Sequence, residues 1–388
     1  MNIGVFTDSY KPYLSGVVRS IDTFAREFEA MGHQVYIFAP AYPHYAQRTG
    51  NIFRFRSIRS PTHPGFSLAI PISPRLLATA KVLALDVVHV HSPFLLGRLG
   101  ARLAHRLQVP LVFTYHTRYD QYVHYVPLAA EPSRRAVLAW VTTFAKQCDT
   151  VVVPSQRMRQ ELRQQGIPTR IEVIPTGIDP LRFQHGDPRY LREHLGLGPD
   201  ALILLYSGRL GREKNVDFLF YAMQHVVRAR SNSYLILAGA GPDRIRLERE
   251  AAKLGLARHV RFLGAVTEKV LVDCYAGADV FVFASTSETQ GLVVLEAMAS
   301  GLPVVAVHGP GVEDTIVDGH SGLLVPPSPR TFAAEVLQLA SNPSRRAAMG
   351  ACAKERASLF SARVMAEKLL HLYESLVYDQ HRKREVRT

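Results

Sequence analysis

The sequence predicts an α/β protein built as two doubly wound, Rossmann-like domains facing a cleft. Three observations carry this. Short, continuously apolar runs alternate with amphipathic stretches from end to end, the pattern of parallel strands covered on both faces by helical crossovers. The alternation runs through once and restarts after "IPTGIDPLRFQHGDP" (174–188), a hinge rich in proline, glycine and aspartate. A chain of 388 residues, 47% of them hydrophobic, is long enough for two or three domains with sizeable cores.

Taken in order, "NIGVF" (2–6) reads as a buried strand, followed by a helix from about Val17 to Met31. "HQVYIFA", "DVVHVH", "VPLVFTY" and "DTVVVPS" read as further strands, separated by helical patterns such as "LLGRLGARLAHRL". The second series has strands at "ALILLYSG", "SYLILAG", "HVRFLG", "DVFVFAS" and "LPVVAV". The expected domains are 1–178 and 179–361, with a last helix over about 362–378 and a polar tail, "DQHRKREVRT". Ligands of such sheets bind beyond the carboxyl ends of the strands, so the loops after each strand are the ones to read for chemistry.

Composition narrows the function. Net charge is +13, with pI about 9.8, which favours an anionic partner. Residues 1–180 hold 20 basic and 11 acidic residues, and the remainder 26 and 22, so the excess sits in the first half. Cys148, Cys274 and Cys352 are scattered, which argues for a reducing compartment and for buried apolar roles. The start "MNIGVFTDSY" has no basic flank and apolar core of a leader, and no run of about 18 apolar residues spans a membrane, so a cytoplasmic protein is expected.

The segment "SETQGLVVLEAMASG" (287–301) carries most chemistry. Glu288 falls just past the strand "DVFVFAS", and Glu296 falls eight positions on, inside a helix ended by Gly301 and Pro303. On one continuous helix these side chains would lie about 80° apart. With Glu288 in the loop, both reach one ligand at different points. Carboxylates accept from hydroxyl pairs, and the start of a helix favours an anion, so the expected ligand has hydroxyls at two places and a phosphate between them. The same spacing also arises in ordinary strand–loop–helix units with surface glutamates.

Other loops add to this. In "YSGRLGREKN", Arg209 and Lys214 stand five apart at a strand end, where two cations can hold a diphosphate or serve as solvated loop charge. "AGAGPDRIRL" (238–247) reads as a plain glycine turn opening a helix. In "TDSYKPYLSGVVRS", Gly16 lets backbone approach a ligand where a helix begins. In "FTYHTRYDQY", His116 follows a strand and can contact a sugar or a leaving phosphate, or be structural. Tyr115, Tyr119, Tyr122 and Tyr125 either shape an acceptor pocket or pack.

Together, "SETQGLVVLEAMASGLPVV", "GRLGREKN", "GAGP", "VIPTGID" and the loop at Ser15–Gly16 resemble the retaining glycosyltransferases of family 4, over nearly the whole chain and including the E-x7-E pattern. The resemblance implies the two-domain GT-B architecture, with the last helix crossing back onto the first domain. It implies that Arg209 and Lys214 bind the donor diphosphate, that Glu288 contacts donor-sugar hydroxyls, and that Glu296 accepts from the nucleotide ribose. The backbone of Thr289, Gln290, Gly291 and Leu292 would meet sugar and phosphate, Gly16 would approach the phosphate, and His116 would contact the sugar or assist the leaving group. It implies no divalent metal and no cofactor beyond the nucleotide sugar.

Many members have Phe where Gln290 stands; the form "ETQGL", with "TDSYKPYLSGVVRSI", is similar to enzymes that glycosylate diacylglycerol or related lipids. That likeness implies a lipid acceptor and UDP-glucose as default donor, with GDP-mannose competing. An anionic membrane surface is then an expected partner, met peripherally at the inner face of the cell membrane. Arg98, Arg102 and Arg106 recur every four residues beside Leu95, Leu99 and Leu103, and "EPSRRAVLAWVTTFAKQ" adds Arg134, Arg135, Trp140 and Lys146. The other reading of these helices is ordinary packing on the sheet. Rival functions are transfer to a soluble sugar or metabolite, a nucleotide-sugar epimerase of the same architecture, and a nucleic-acid binder, which lacks a binding module. No carboxylate in the sequence identifies itself as the nucleophile of a double displacement, which favours front-side substitution for a retaining transfer.

Overall fold

A computed structural model of the protein describes residues 1–13, 15–43, 45, 50–60, 66–116, 130–285 and 288–385, with backbone alone for 130–134. The chain divides into two compact units: Met1–Gly177 with Ala362–Thr388, and Ile178–Ser361.

Unit 1 contains β1 (Asn2–Phe6), α1 (Gly16–Ala30), β2 (Gln34–Pro40), β3 (Ile52–Phe55), β4 (Ser57–Arg59), β5 (Ser67–Ala69), α2 (Leu76–Val82), β6 (Val87–Val90), α3 (Leu95–Leu107), β7 (Leu111–Thr114), α4 (Ala130–Ala145), β8 (Thr150–Val153), α5 (Gln156–Gln164) and β9 (Arg170–Val173). Seven strands form one parallel sheet in the order β3-β2-β1-β6-β7-β8-β9, and β4 and β5 form a separate antiparallel pair. Each face has its own core. On one face Phe6, Phe38 and Phe53 stack across three strands and pack with Leu96, Leu103, Phe113 and Phe144. On the other, Val5, Ile37, Val87 and Val112 meet Ile21, Phe24 and Phe28 of α1 and Leu369, Leu372 and Tyr373 of the C-terminal helix.

That helix, Ala362–Glu385, runs well past the expected end near 378. Its last turns are polar, but the Gln380 side chain donates to the Gln108 carbonyl at 2.6 Å and Arg384 donates to the same carbonyl, so the "tail" is anchored helix. Of the two readings open for Tyr115, packing is the one observed: it is 1% exposed, edge-on to Phe113 in the core. Tyr119, Tyr122 and Tyr125 lie outside the described residues.

Unit 2 contains a 3-10 turn (Pro180–Phe183), α6 (Tyr190–Leu195), β10 (Leu202–Ser207), a 3-10 turn (Arg212–Lys214), α7 (Val216–Ala229), β11 (Ser233–Ala238), α8 (Arg244–Lys253), β12 (Val260–Gly264), α9 (Glu268–Gly277), β13 (Val280–Phe283), α10 (Leu292–Ser300), β14 (Val304–Val307), β15 (Leu323–Val325), α11 (Pro329–Ala340) and α12 (Pro343–Ser358). Its six strands are all parallel, in the order β12-β11-β10-β13-β14-β15. Strands β10, β13 and β14 are buried at every residue, which is why they read as unbroken apolar runs. The sequence reading missed β3, β9 and β15, which are short and partly polar or exposed.

One buried polar group ties unit 1 together. His89 of β6 is 2% exposed, with Nδ1 2.5 Å from the Tyr373 hydroxyl of the C-terminal helix and Nε2 2.6 Å from the Thr114 hydroxyl of β7. Burial first, then the neighbouring His116, pulls its pKa down to about 3. In the unfolded chain it takes up a proton near pH 6.5. A folded-state value below the unfolded one means that stability is full above pH 6.5 and is lost as pH falls from there toward 3. At about 1.4 kcal/mol per pH unit, going from pH 6.5 to 5 costs roughly 2 kcal/mol through this residue. In denaturant melts, His89→Gln is therefore expected to be less stable than the parent at pH 7.5 yet to lose less between pH 6.5 and 5; an unchanged slope would clear His89 of this role.

Candidate active site

The reversal of strand order in each sheet fixes where the loops diverge. In unit 2 it lies between β10 and β13, whose following loops are 208–215 and 284–291. These loops are tied to each other: Asn215 Nδ2 donates to the Ala284 carbonyl at 3.3 Å, and the Ser285 hydroxyl donates to the Glu213 carbonyl at 3.2 Å. The ties bring Lys214 from one loop against Glu288 from the other, and Nζ and Oε1 form an ion pair. The pair is half-shielded, with side-chain exposures of 15% and 24%. Arg209 extends from the same loop and pairs with Glu213 at 2.5 Å.

Glu288 precedes α10 by four residues, and Glu296 is the helix's fifth residue. Gly291 is the N-cap, in the left-handed conformation (φ 69°), and as a glycine it offers no capping side chain of its own. The leading N–H groups of α10 thus start where β13's loop ends, a place that favours negative charge. Thr289 and Leu292 are half-buried and Gln290 is buried. The helix is apolar nearly throughout, so Glu296, 2% exposed, sits in a dry surrounding. A buried carboxylate needs donors. The Tyr275 hydroxyl supplies one at 2.9 Å to Oε2, and lies 2.7 Å from the Ser207 hydroxyl at the end of β10.

The "AGAGP" turn is more than a plain turn. A Cβ on Gly239 would lie 1.9 Å from the Gly208 carbonyl oxygen, and one on Gly241 would lie 2.1 Å from that of Leu210. The two loops lie backbone against backbone, with Leu210 N–H donating to Ala240 at 3.0 Å and Asp243 N–H to Leu210 at 3.1 Å. Arg246 locks the turn from behind, fork to fork on Asp217 and again on Asp243. This stack fixes the loop that carries Arg209 and Lys214. It depends on residues some thirty positions apart meeting, which no local pattern announces.

In unit 1 the reversal lies between β1 and β6. Asp8, after β1, accepts from the Ser92 hydroxyl at 2.5 Å and from the Leu96 N–H at 2.8 Å, and so holds the start of α3. Burial raises its pKa, and those bonds partly offset the rise. Gly16 is the first residue of α1, behind the Ser15 cap, and no described atom lies within 4 Å of where its Cβ would be. His116, two residues beyond β7, has Nε2 2.7 Å from Nδ1 of His91, one residue beyond β6. Burial brings the pKa of His116 to about 3 and that of His91 well below the usual value. Asp8, His91 and Ser92 escaped the sequence reading; the only local sign was a pair of histidines two apart in an apolar strand.

On α3, Leu96, Gly97, Gly100, Leu103 and Ala104 face the core, while Leu95, Arg98, Arg102 and Arg106 are exposed. Leu103 therefore does not belong to the basic face. The Arg98 guanidinium stacks 4.3 Å from the Trp140 ring of α4, whose Nε1 donates to Pro93 at 3.0 Å. Trp140 is 46% exposed, and Arg135 and Lys146 are exposed.

Comparison with known proteins places this geometry. Residues 14–182 match Glycosyltransferase Family 4, and residues 189–356 match Glycosyl transferases group 1. Over 335 residues the chain is 35% identical to the alpha-monoglucosyldiacylglycerol synthase of Streptococcus pneumoniae, covering 84% of this chain and 75% of that one. It is 27% identical to the enzyme of the same name from Acholeplasma laidlawii over 401 residues, 99% of each. Among solved structures, Anabaena Alr3699/HepE in complex with UDP superposes with a TM-score of 0.79 at 21% identity, covering 97% of this chain and all of that one. The fold is GT-B.

The open space at Gly16 gives a clean separation of fold from ligand. Gly16→Ala is expected to leave stability unchanged or raise it by up to about 1 kcal/mol, and to weaken binding of a nucleotide sugar at least several-fold. Thermal melts and titration calorimetry read the two effects; unaltered binding would show that no ligand comes close to this backbone.

Proposed function

The chain belongs to glycosyltransferase family 4, and on that premise we propose that it moves glucose from UDP-glucose to diacylglycerol or a related lipid, with retention at the anomeric carbon. The observation that carries the reading is the Lys214–Glu288 pair at the strand reversal of unit 2, beside the start of α10 at Gly291. A cation, a carboxylate and the leading amides of a helix within one pair of loops suit a ligand with a phosphate next to hydroxyls. The lipid acceptor is supported by the likeness to two synthases named for that product.

Each residue has a physical role in this reading. Lys214 leaves part of its charge on Glu288 and shares the rest with the donor diphosphate, with Arg209 as second cation. The N–H groups from Thr289 to Leu292 receive the phosphate and sugar. Glu288 accepts from sugar hydroxyls, and Glu296, with one oxygen already fixed by Tyr275, accepts from the ribose. Gly16 admits the phosphate, and His116 contacts the sugar or the departing oxygen. Neither glutamate suits a nucleophile: Glu296 is buried in its helix and Glu288 is ion-paired. Front-side substitution follows, in which the acceptor oxygen bonds to the anomeric carbon as the diphosphate leaves the same face. The leaving phosphate oxygen takes the acceptor's proton. The cations and helix start hold the growing negative charge, so no divalent metal is needed.

In this reading the acceptor sits in a bilayer, and Arg98, Arg102, Arg106, Arg135, Lys146 and Trp140 are exposed, with Arg98 stacked on Trp140. Each adds about 1 kcal/mol near an anionic surface. Among the described residues no helix is long and apolar enough to cross a membrane, so attachment is peripheral in this reading.

The first test is a screen of labelled nucleotide sugars against a total lipid extract, with and without EDTA. UDP-glucose should give an α-glucosyl lipid in both; transfer only to soluble acceptors, donor conversion without acceptor, or loss on chelation would each overturn a part of the proposal. Lys214→Ala should lower kcat about 10²–10³-fold, and a near-parental rate would remove the lysine from catalysis. Cosedimentation with vesicles rich in anionic lipid should be strong at low salt and fade toward 0.5 M; equal binding to neutral vesicles would dispose of the electrostatic attachment.

A further inference from the structure

In the sheet of unit 1, β6 and β7 run side by side with His89 opposite Val112 and Val90 opposite Phe113. Side chains two apart on a strand share a face. Val87, His89 and His91 therefore form one row, and Val112, Thr114 and His116 the next. The rows begin apolar in the core and end polar at the carboxyl edge. His89 is held on both nitrogens, by Tyr373 and Thr114. Its ring lies 4.3 Å from that of His91. His91 in turn lies 5.0 Å from His116, ring planes within 18°, with Nδ1 and Nε2 2.7 Å apart. His91 is 4% exposed, and His116, at the end of the row, is half-buried.

We infer that His91 is a positioning residue: the hydrogen bond between its Nδ1 and Nε2 of His116 fixes the flip state and ring angle with which His116 meets the donor. The inference rests on the reading of His116 as a donor contact. The physical argument is about freedom. A histidine at the end of a strand has a broad, two-fold preference about its outer torsion and two neutral tautomers of similar energy. A hydrogen bond at Nε2 fixes the flip state and ties the tautomer of His116 to that of its partner, since one nitrogen must donate and the other accept. The partner must itself be unable to turn, and His91 cannot, packed between His116 and a His89 bonded at both ends. The row thus transmits the rigidity of the core, through Tyr373 of the C-terminal helix, to the one residue at its rim.

The experiment is a double-mutant cycle on kcat and donor KM, with His91→Phe, His91→Asn and His116→Ala, using UDP-glucose and diacylglycerol in mixed micelles. Phe keeps the ring and removes the bond; the Asn amide can restore a bond near Nδ1. His91→Phe should lower kcat at least tenfold with donor KM within about threefold. His91→Asn should recover part of that loss. In the His116→Ala background, His91→Phe should change kcat less than twofold. Independent, multiplying losses, or a parental rate for His91→Phe beside an impaired His116→Ala, overturn the inference. A parental rate for His116→Ala instead overturns the underlying reading of His116. A readout that needs neither turnover nor a stable variant is the imidazole ¹⁵N spectrum of the unaltered protein. Nδ1 of His91 and Nε2 of His116 should be complementary, one protonated and the other bare, and two nitrogens of the same protonation state would sink the proposal.

Discussion

Both units depend on a single constraint, the reversal of strand order in an all-parallel sheet. Every strand points the same way, so every connecting loop of functional interest gathers at one edge. Where the order reverses, the two flanking crossovers go to opposite faces, and their loops part. In unit 2 the parted loops are those after β10 and β13, and the protein has filled the gap with charge of both signs. Cross-loop bonds from Asn215 and Ser285 keep Lys214 and Glu288 facing each other. Without those ties the two long side chains would lose much of the pair's modest surface value to their own rotamer freedom.

The loop carrying Lys214 is set from two sides. One is the sheet, through β10. The other is the glycine turn after β11, whose backbone presses on that loop closely enough that any Cβ would collide. Lateral contact between the loops of adjacent strands is the second layer of order. The fork of Arg246 on Asp217 and Asp243 joins the starts of α7 and α8 and braces the turn from the helix side. A binding loop with a bare glycine turn behind it and a charge clamp behind that is rigid without being apolar.

The fold was largely legible because its strands are buried on both faces. Runs such as "ALILLYS" or "DVFVFA" leave no other economical reading, and the restart after the hinge shows two sheets. What escaped was whatever depends on meeting a distant partner. The polar end of the last helix looks like a tail until Gln380 and Arg384 find the carbonyl of Gln108. Tyr115 reads equally as pocket lining or as packing until Phe113 and its core are in view. In the site, the glutamate spacing and the two basic residues could be read locally, since a strand end, a loop and a helix start are adjacent in sequence. The Tyr275 hydroxyl beneath Glu296 and the histidine row of unit 1 could not. A histidine inside an apolar strand reads the same whether it is satisfied core or part of a site, and only the positions of Thr114, Tyr373 and His116 decide.

The two glutamates illustrate how burial divides labour in one site. Glu296 stands in a helix whose neighbours are almost fully buried, and the folding of unit 2 has already borne the cost of drying its carboxylate. In the proposed reading an incoming hydroxyl would find this acceptor already oriented, and a ligand without that hydroxyl would forfeit the bond, which is the condition for sharp discrimination. Glu288 is reachable by solvent and tied to a cation, so its environment changes when an anion approaches Lys214. A buried, prepaid acceptor serves recognition; a half-exposed ion pair responds to charge. In the proposed reading, exchanging the two environments would leave the same residues with neither property, which gives a physical reason for one carboxylate before the helix and the other within it.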